Sequence, residues 1–167
     1  MRPTLIAATT ALTFWVPLAP AQHHASAIHA RHQETESTES TPRAADGRQA
    51  VSFPARLKEE TLTNMRDHLL ALQQIQSALA GKEYDRAAEI AEQRLGMSSL
   101  QRHGAHEVAR HMPEGMRAAG SGMHRNASRF AVAAKDATVT GDLGPSLEAL
   151  SNVTAQCVAC HAGYRLD

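Results

Sequence analysis

Cys157, Cys160 and His161 are the residues of this 167-residue chain whose types and spacing point most directly to chemistry, since they form the motif C-x-x-C-H. On a helix, positions i and i+3 share a face, so both thiols can reach the two vinyl groups along one edge of a haem. The histidine follows at once, and imidazole is a common proximal ligand of haem iron. The spacing predicts one covalent haem c on Cys157 and Cys160, with His161 bound to iron.

Two other chemistries are open to the cysteine pair. A structural disulfide between Cys157 and Cys160 leaves His161 unexplained. A thioredoxin-like redox pair needs a strand followed by a helix near the start of a fold, whereas this motif ends a chain without an alternating strand pattern. Histidine fills 10 of 167 positions, so chance places one directly after the second cysteine in about 6% of cases. The motif therefore favours haem.

Helices must position this motif, and the first is predicted from about residue 57 to residue 80, ending at Gly81. Apolar residues recur along it at steps of three, four and seven, which is one stripe on a helix. The members of the stripe are Leu62, Met65, Leu69, Leu72 and Leu79. A second helix begins near Glu83 and extends as far as Met112, with a kink at Gly96.

A third helix has Pro113 as an early residue, and a loop over residues 138–144 separates it from a fourth. Pro145 suits the first turn of the fourth helix, which carries the cysteines inward. The apolar stripe of the third helix comprises Met116, Ala119, Met123, Phe130, Ala134 and Ala137. Short loops favour antiparallel neighbours, so the expected fold is all-α, an up-down antiparallel four-helix bundle with covalent haem near the C-terminus.

Aromatic residues are scarce, at 4% of the chain. A bundle core built from this composition lacks large, flat side chains. Either small residues pack closely, or a non-protein group fills the space. A porphyrin would supply the missing bulk.

The N-terminal third of the chain predicts export followed by a tether. Residues 1–21 combine a basic start, a short apolar run and a small-residue site, which predicts a signal peptide cleaved near Ala21 and a periplasmic protein. Residues 22–50 are polar and predict a disordered tether. Its four histidines either bind metal weakly or are incidental to a soluble spacer, and the spacer is favoured because compositional signals are weak. They are His23, His24, His29 and His32. Residues 51–167 then form the helical domain.

Charge and motif content exclude several classes of function. Lysine plus arginine and aspartate plus glutamate both number 17, which argues against a nucleic-acid partner. The mature chain has no stretch that predicts a membrane span. No phosphate loop, nucleophile elbow or paired-carboxylate arrangement is present, so we expect no enzyme activity.

The C-terminal position of C-x-x-C-H resembles the class II c-type cytochromes, the cytochrome c′ family. The resemblance extends to Tyr164 and Arg165, because family members carry C-x-x-C-H-x-x-Tyr/Phe-Arg/Lys, and it covers roughly residues 55–167. It implies that Tyr164 and Arg165 belong to the haem environment. Family members often pair through their first two helices, which leaves a homodimer open, and the redox partner protein is not readable from the sequence.

In this family the distal iron ligand, when present, comes from the first helix, and by position relative to Gly81 and Tyr84 it aligns with Met65. The resemblance thus implies a low-spin, His/Met-ligated carrier in electron transfer. Met65 as core filler is the alternative, and it implies a five-coordinate centre that binds nitric oxide or carbon monoxide. A third reading is a metal-binding module in which the histidine tether matters. His68, one turn later, is a rival ligand for which a structural role is favoured.

His103, Glu107 and His111 fall at i, i+4 and i+8, on one face if the surrounding segment is helical. Such a face could bind a metal. A solvated face with i,i+4 contacts is favoured instead, because Gly104 weakens the helix.

Overall fold

The computed structural model describes residues 46–167, and this part of the chain is mostly helical, at 75%. It contains five α-helices, a 3₁₀ turn at Met97–Ser99 and one pair of three-residue strands. The elements in chain order are β1 (Gln49–Val51), α1 (Ala55–Ala80), α2 (Tyr84–Arg94), α3 (Ala105–Ala109), α4 (Glu114–Thr140), α5 (Gly144–Gly163) and β2 (Tyr164–Leu166). The all-α class is confirmed. Within residues 46–167, a search for a helix long and apolar enough to cross a bilayer finds none.

Small side chains allow four of the helices to pack closely around one core. Close backbone packing joins α1 to α2, α2 to α4 and α4 to α5, but not α1 to α5. The core is rich in alanine, with few large side chains between the helix backbones. Its most buried members include Ala71, Ile75, Ala87, Ala88, Ala127, Phe130, Ala134 and Val153. Close packing of small residues therefore accounts for the scarcity of aromatic rings in this part of the core.

A second, smaller cluster lies where β1 and α3 meet the first turns of α1 and α4. It consists of Val51, Phe53, Leu57, Val108 and Met116, with Cys160 and Tyr164 packed against it. The two ends of the described chain meet here, because β1 pairs with β2 in parallel register, Gln49 opposite Tyr164. The segment that follows the C-x-x-C-H motif is thus fixed to the segment that precedes α1.

The buried face of α1 differs from the predicted leucine stripe. Leu79 is buried, but Leu69 is 68% exposed, and Leu62, Met65 and Leu72 are only half-buried. The buried face instead comprises Leu57, Thr61, His68, Ala71, Ile75, Ala78 and Leu79. The helix has apolar residues on two adjacent lines. The buried line includes the small residues Ala71 and Ala78 and allows closer approach, so it faces the neighbouring helices and Leu69 is left towards solvent.

The second predicted helix is wrong beyond residue 95. α2 ends at Arg94, and Gly96 is extended, with φ −73° and ψ −177°, so the expected kink is a helix end. Gly104 is left-handed, at φ 58°, a conformation that only glycine adopts without strain. The chain between α2 and α4 is therefore a 3₁₀ turn and the short helix α3.

Three smaller boundaries also differ from the sequence-based expectation. α4 continues to Thr140 and stops at Gly141, with φ 71°, so the predicted loop over residues 138–144 is shorter. Pro113 is the residue before α4 rather than within it. Gln49 and Ala50, placed in the predicted tether, belong to β1. The predicted signal peptide and residues 22–45 of the tether lie outside the described residues.

Candidate functional site

Residues of the C-x-x-C-H motif and Met65 line one cavity of about 440 Å³. Cys160 and His161 come from the last turn of α5, and Met65 comes from the middle of α1. Because α1 and α5 are not closely packed against each other, the cavity opens between the helix that carries the motif and the helix that carries the predicted distal ligand. Tyr164 and Arg165 also line it. The fold thus brings together five of the six predicted site residues.

The two cysteines are free thiols and are half-buried on α5. The Sγ of Cys157 donates to Val153 O at 3.6 Å and packs against the main core, whereas Cys160 packs against the smaller cluster. Burial raises the pKa of both thiols. Cys157, the sixth predicted site residue, does not line the 440 Å³ cavity.

The cavity lining is cationic. Arg48, Lys58 and Arg165 contribute to it, and no aspartate or glutamate does. The Arg165 guanidinium pairs with Asp167 at 2.7 Å, and its buried Nε has no hydrogen bond but lies 3.8 Å from Asp46 Oδ2, which also pairs with Arg48. Lys58 donates to the backbone oxygen of Asp167. These pairs are exposed, and exposed ion pairs contribute at most about 1 kcal/mol, so the cations can rearrange to bind an anionic ligand.

Tyr164 is held in place by backbone pairing and by a close approach to α4. It is the first residue of β2, and it opposes Gln49 in the strand pair. A Cβ added at Gly115, in the first turn of α4, would clash with the phenol oxygen of Tyr164. Any larger residue at position 115 would displace the Tyr164 hydroxyl from its present place.

A cluster of three buried histidines lies in a second cavity of about 180 Å³. His68 comes from α1, His103 from the turn before α3, and His124 from α4. They are 9%, 9% and 8% exposed. Thr61 and Met65 line both cavities, and the Oγ1 of Thr61 is buried without a hydrogen-bond partner.

Hydrogen bonds fix the histidine rings. Nε2 of His68 lies 3.5 Å from Nδ1 of His103, with ring centroids 4.9 Å apart. The Nδ1 of His124 lies 2.7 Å from Leu95 O, so this nitrogen carries the proton and donates. The Nδ2 of Asn64 donates to His103 O at 3.2 Å, which ties the turn to α1. Each ring is thus anchored from a different element.

Burial sets the titration of this cluster. Desolvation, with smaller effects from His103 and His124, lowers the pKa of His68 to about 4. Desolvation also lowers the pKa of His103 and of His124. The nearby Asp67 carboxylate opposes this effect on His68 and His103, but it is paired with Arg94. The imidazoles are neutral at pH 7.

The predicted helical face of His103, Glu107 and His111 does not form. His103 precedes α3 and is buried, whereas Glu107 is exposed and pairs with Arg56 at 2.8 Å. His111 is exposed, and its ring lies 6.1 Å from that of Phe53. Gly104, which was expected to weaken the helix, breaks it and turns His103 inward.

Sequence reasoning missed His124, Arg48 and Lys58. His124 directly follows Met123, which belongs to the apolar stripe of α4. The helical period could therefore have predicted that His124 is buried. Arg48 was assigned to the tether, and nothing in the sequence pairs that segment with the C-terminus. Lys58 carried no signal, because a lysine at the start of an amphipathic helix is usually solvated.

The cavity between α1 and α5, with a histidine, a thiol and a thioether in its wall and cations among its lining residues, is the strongest candidate site for a prosthetic group in residues 46–167. No family model, curated protein or solved structure matches this chain. The function of the site has to be argued from its own residues.

Proposed function

We propose that this protein is an exported monohaem c-type cytochrome of class II that transfers electrons through a His161/Met65-ligated iron. The observation that supports this proposal best is the shared cavity of Cys160, His161 and Met65, which lie on two helices 95 or more positions apart in sequence. A C-x-x-C-H motif read from the sequence says nothing about what faces it. A thioether in the same cavity is what His/Met ligation needs.

The proposal includes the up-down antiparallel four-helix bundle, made of α1, α2, α4 and α5. Short connections between α1 and α2 and between α4 and α5 favour antiparallel neighbours. The 3₁₀ turn and α3 belong to the longer connection between α2 and α4. In this fold a prosthetic group lies among facing helices, which agrees with a cavity lined by α1, α4 and α5.

The cavity residues Cys160, His161 and Met65 suit a haem, with His161 and Met65 as iron ligands. Cys160 would form one thioether bond, and Cys157, which packs against the main core outside the cavity lining, would have to turn towards the group to form the other. Arg48, Lys58 and Arg165 suit the two carboxylates of a haem, and the Nε of Arg165 donates no hydrogen bond, since its ion pair with Asp46 is 3.8 Å long. The group supplies one-electron chemistry between ferrous and ferric iron. The chain contributes a neutral thioether, which favours the ferrous state and raises the potential.

The structure of the cysteine pair supports haem attachment over a thiol redox role. Redox-active C-x-x-C pairs have a lowered thiol pKa, since the thiolate is the reactive form. Burial raises the pKa of Cys157 and Cys160 instead. The proposal therefore assigns no enzymatic activity to the pair, and an iron with two protein ligands leaves no position for a substrate.

The same proposal places the mature protein in the periplasm, with its signal peptide removed near Ala21. It acts there on a redox partner protein rather than on nucleic acid or within a bilayer, and pairing through the first two helices would make it a homodimer. Cell fractionation and N-terminal sequencing of the mature protein test the location. Recovery with residues 1–21 intact in the cytoplasm would contradict it.

Absorption spectra of the oxidised and reduced protein test the ligation. The ferric protein should show the weak near-infrared band of a thioether–iron bond, and Met65→Leu should abolish it and give a high-spin centre. Met116→Leu is the matched control, because Met116 lines the same cavity on α4. A wild-type protein that is already high-spin and binds carbon monoxide or nitric oxide readily would refute Met65 ligation. It would favour the gas-binding function.

Denaturation in acid and organic solvent tests the covalent attachment. The colour should stay on the polypeptide of the wild type, and replacing Cys157 and Cys160 with alanine should prevent attachment. The doubly substituted chain should also be much less stable, since a ligand bound only by the folded state stabilises it. Extraction of free haem from the wild type would refute the attachment.

A further inference from the structure

The buried histidine cluster is expensive for the fold, and the haem proposal does not use it. Three imidazoles from three elements lie in one cavity at less than 10% exposure, and Asp67, the carboxylate beside them, is engaged by Arg94. Buried polar groups cost free energy unless each hydrogen-bonding atom is satisfied. Apolar residues of similar volume would fill the same space at lower cost. The Nε2 of His68 and the Nδ1 of His103 pair with each other at 3.5 Å, the outer limit of a hydrogen bond, so this weak pair is open to a ligand that imidazoles bind.

The spacing of two ring nitrogens suits a metal ion. The Nε2 of His68 and the Nδ1 of His103 are 3.5 Å apart. Two nitrogens bound to one ion at about 2.05 Å lie roughly 3.3 Å apart if the ion is tetrahedral and roughly 3.6 Å apart if it is trigonal. A shift of a few tenths of an ångström would let both bind the same ion. Neutral imidazole is the form that binds metals, and both rings are neutral at pH 7.

The third ligand is a thioether. Among residues 46–167, histidine, cysteine, aspartate and glutamate side chains alone form no group of three placed to hold a metal. The cavity wall contains three methionines, however: Met65, Met112 and Met123. With Met65 assigned to iron, Met112 and Met123 remain. Imidazole and thioether ligands without a carboxylate are soft, and such a set selects Cu(I) over Zn²⁺, Mg²⁺ or Ca²⁺.

His124 is best placed as a support for this pair. Its Nδ1 donates to Leu95 O at 2.7 Å, and its ring stands edge-on to His68, with an interplanar angle of 86° and centroids 6.1 Å apart. The ring is thereby fixed against α2 and limits the rotation of the His68 ring. This is a positioning role, and it explains why a third histidine is buried without being a ligand.

We propose that this cavity binds one cuprous ion through His68 Nε2, His103 Nδ1 and the thioether of Met112 or Met123. The site uses none of the proposed haem ligands, although Met112 lines both cavities, and the choice between Met112 and Met123 rests on Met65 being assigned to iron. Thr61 and Met65 border both cavities, so an ion held by His68 would lie next to the α1 segment that faces the haem cavity.

Equilibrium dialysis of the full chain against buffered Cu(I) without oxygen tests the site, with copper per chain counted by emission spectroscopy. His23, His24, His29 and His32 are first replaced with alanine, and Cys157 and Cys160 are either bound to haem or alkylated, so that neither the N-terminal histidines nor free thiols add copper. This background chain should bind one ion. His68→Gln and His103→Gln should each weaken binding by about tenfold or more, because they remove a ligand. His106→Gln, an exposed histidine of the same segment, should bind as the background does.

Several results would overturn the proposal. One is a background chain that binds no copper. Another is unchanged binding in both the His68 and the His103 variants. Met112→Leu and Met123→Leu keep the volume of the side chain and should fold normally, and one of them should weaken binding. If neither does, the thioether assignment is wrong. Circular dichroism of each variant distinguishes the loss of a ligand from the loss of the fold. If Zn²⁺ displaces Cu(I) from the site in a titration, the preference for a soft metal ion is refuted.

Discussion

Acidification should destabilise the copper-free protein through His68. Burial lowers the pKa of this imidazole from 6.5 to about 4 in the folded state. Between pH 4 and pH 6.5, this histidine therefore binds fewer protons in the folded chain than in the unfolded chain. The contribution of His68 to the free energy of unfolding is therefore fully present above pH 6.5. It falls as the pH is lowered from 6.5 towards 4, and below pH 4 it does not change further.

The magnitude follows from the width of this window. Each pH unit between the two pKa values costs about 1.4 kcal/mol. Lowering the pH from 7 to 5 crosses about 1.5 units of the window, so His68 alone should remove about 2 kcal/mol from the free energy of unfolding. The groups that face it are His103, His124, Asp67 and Arg94, and the lowered pKa values of His103 and His124 act in the same direction.

Urea denaturation at pH 7 and pH 5, with a copper chelator present, measures this effect. Glutamine cannot be protonated in this range, so His68→Gln should lose about 2 kcal/mol less than the wild type between the two pH values. His106→Gln, an exposed histidine, should lose as much as the wild type. Equal losses in all three proteins would refute a buried, neutral His68.

Two further predictions concern packing. Phe130→Ala should lower the free energy of unfolding by about 3–5 kcal/mol, since the ring is 0% exposed in the main core. Val132 is 62% exposed on the same helix, so Val132→Ala should change this free energy little. Thermal melts of both variants measure the difference. Gly115→Ala should destabilise the fold by displacing Tyr164. In the haem-free chain, Gly120→Ala, whose Cβ would enter the open space of the two cavities, should stabilise α4 by about 0.5–1 kcal/mol. Equal effects of the two glycine variants in the same melts would show that the Tyr164 contact is not needed.

Local sequence features predicted the extent of α1, the stripe of α4 and the start of α5 well, because each depends on neighbours within a few turns. Helical periodicity, glycine stops and proline starts are set by backbone conformation and side-chain shape. The break after α2 was harder to place. Gly96 was expected to kink a continuous helix, but the helix ends before it. The next helix, α3, begins only after the left-handed Gly104 and is five residues long.

The choice of buried face on α1 could not be read from the sequence. Leucines on one side and a mixture of small and polar residues on the other both have helical spacing. Which side packs depends on the partner: α2 and α4 present alanines, and close approach of backbones favours the face of Ala71 and Ile75 over that of Leu69. Helical periodicity identifies an apolar stripe, but it does not predict which of two neighbouring stripes will be buried.

The spacing of Cys157, Cys160 and His161 could be read from the sequence, because three side chains within five positions keep their spacing in any helix. Which residues share a cavity with them could be read only from the packed helices. Met65 lines the cavity of His161, and the histidines at 68, 103 and 124 lie together, because helices α1, α4 and α5 and the turn before α3 meet there. Such contacts join residues far apart in the chain, and they depend on packing rather than on local spacing.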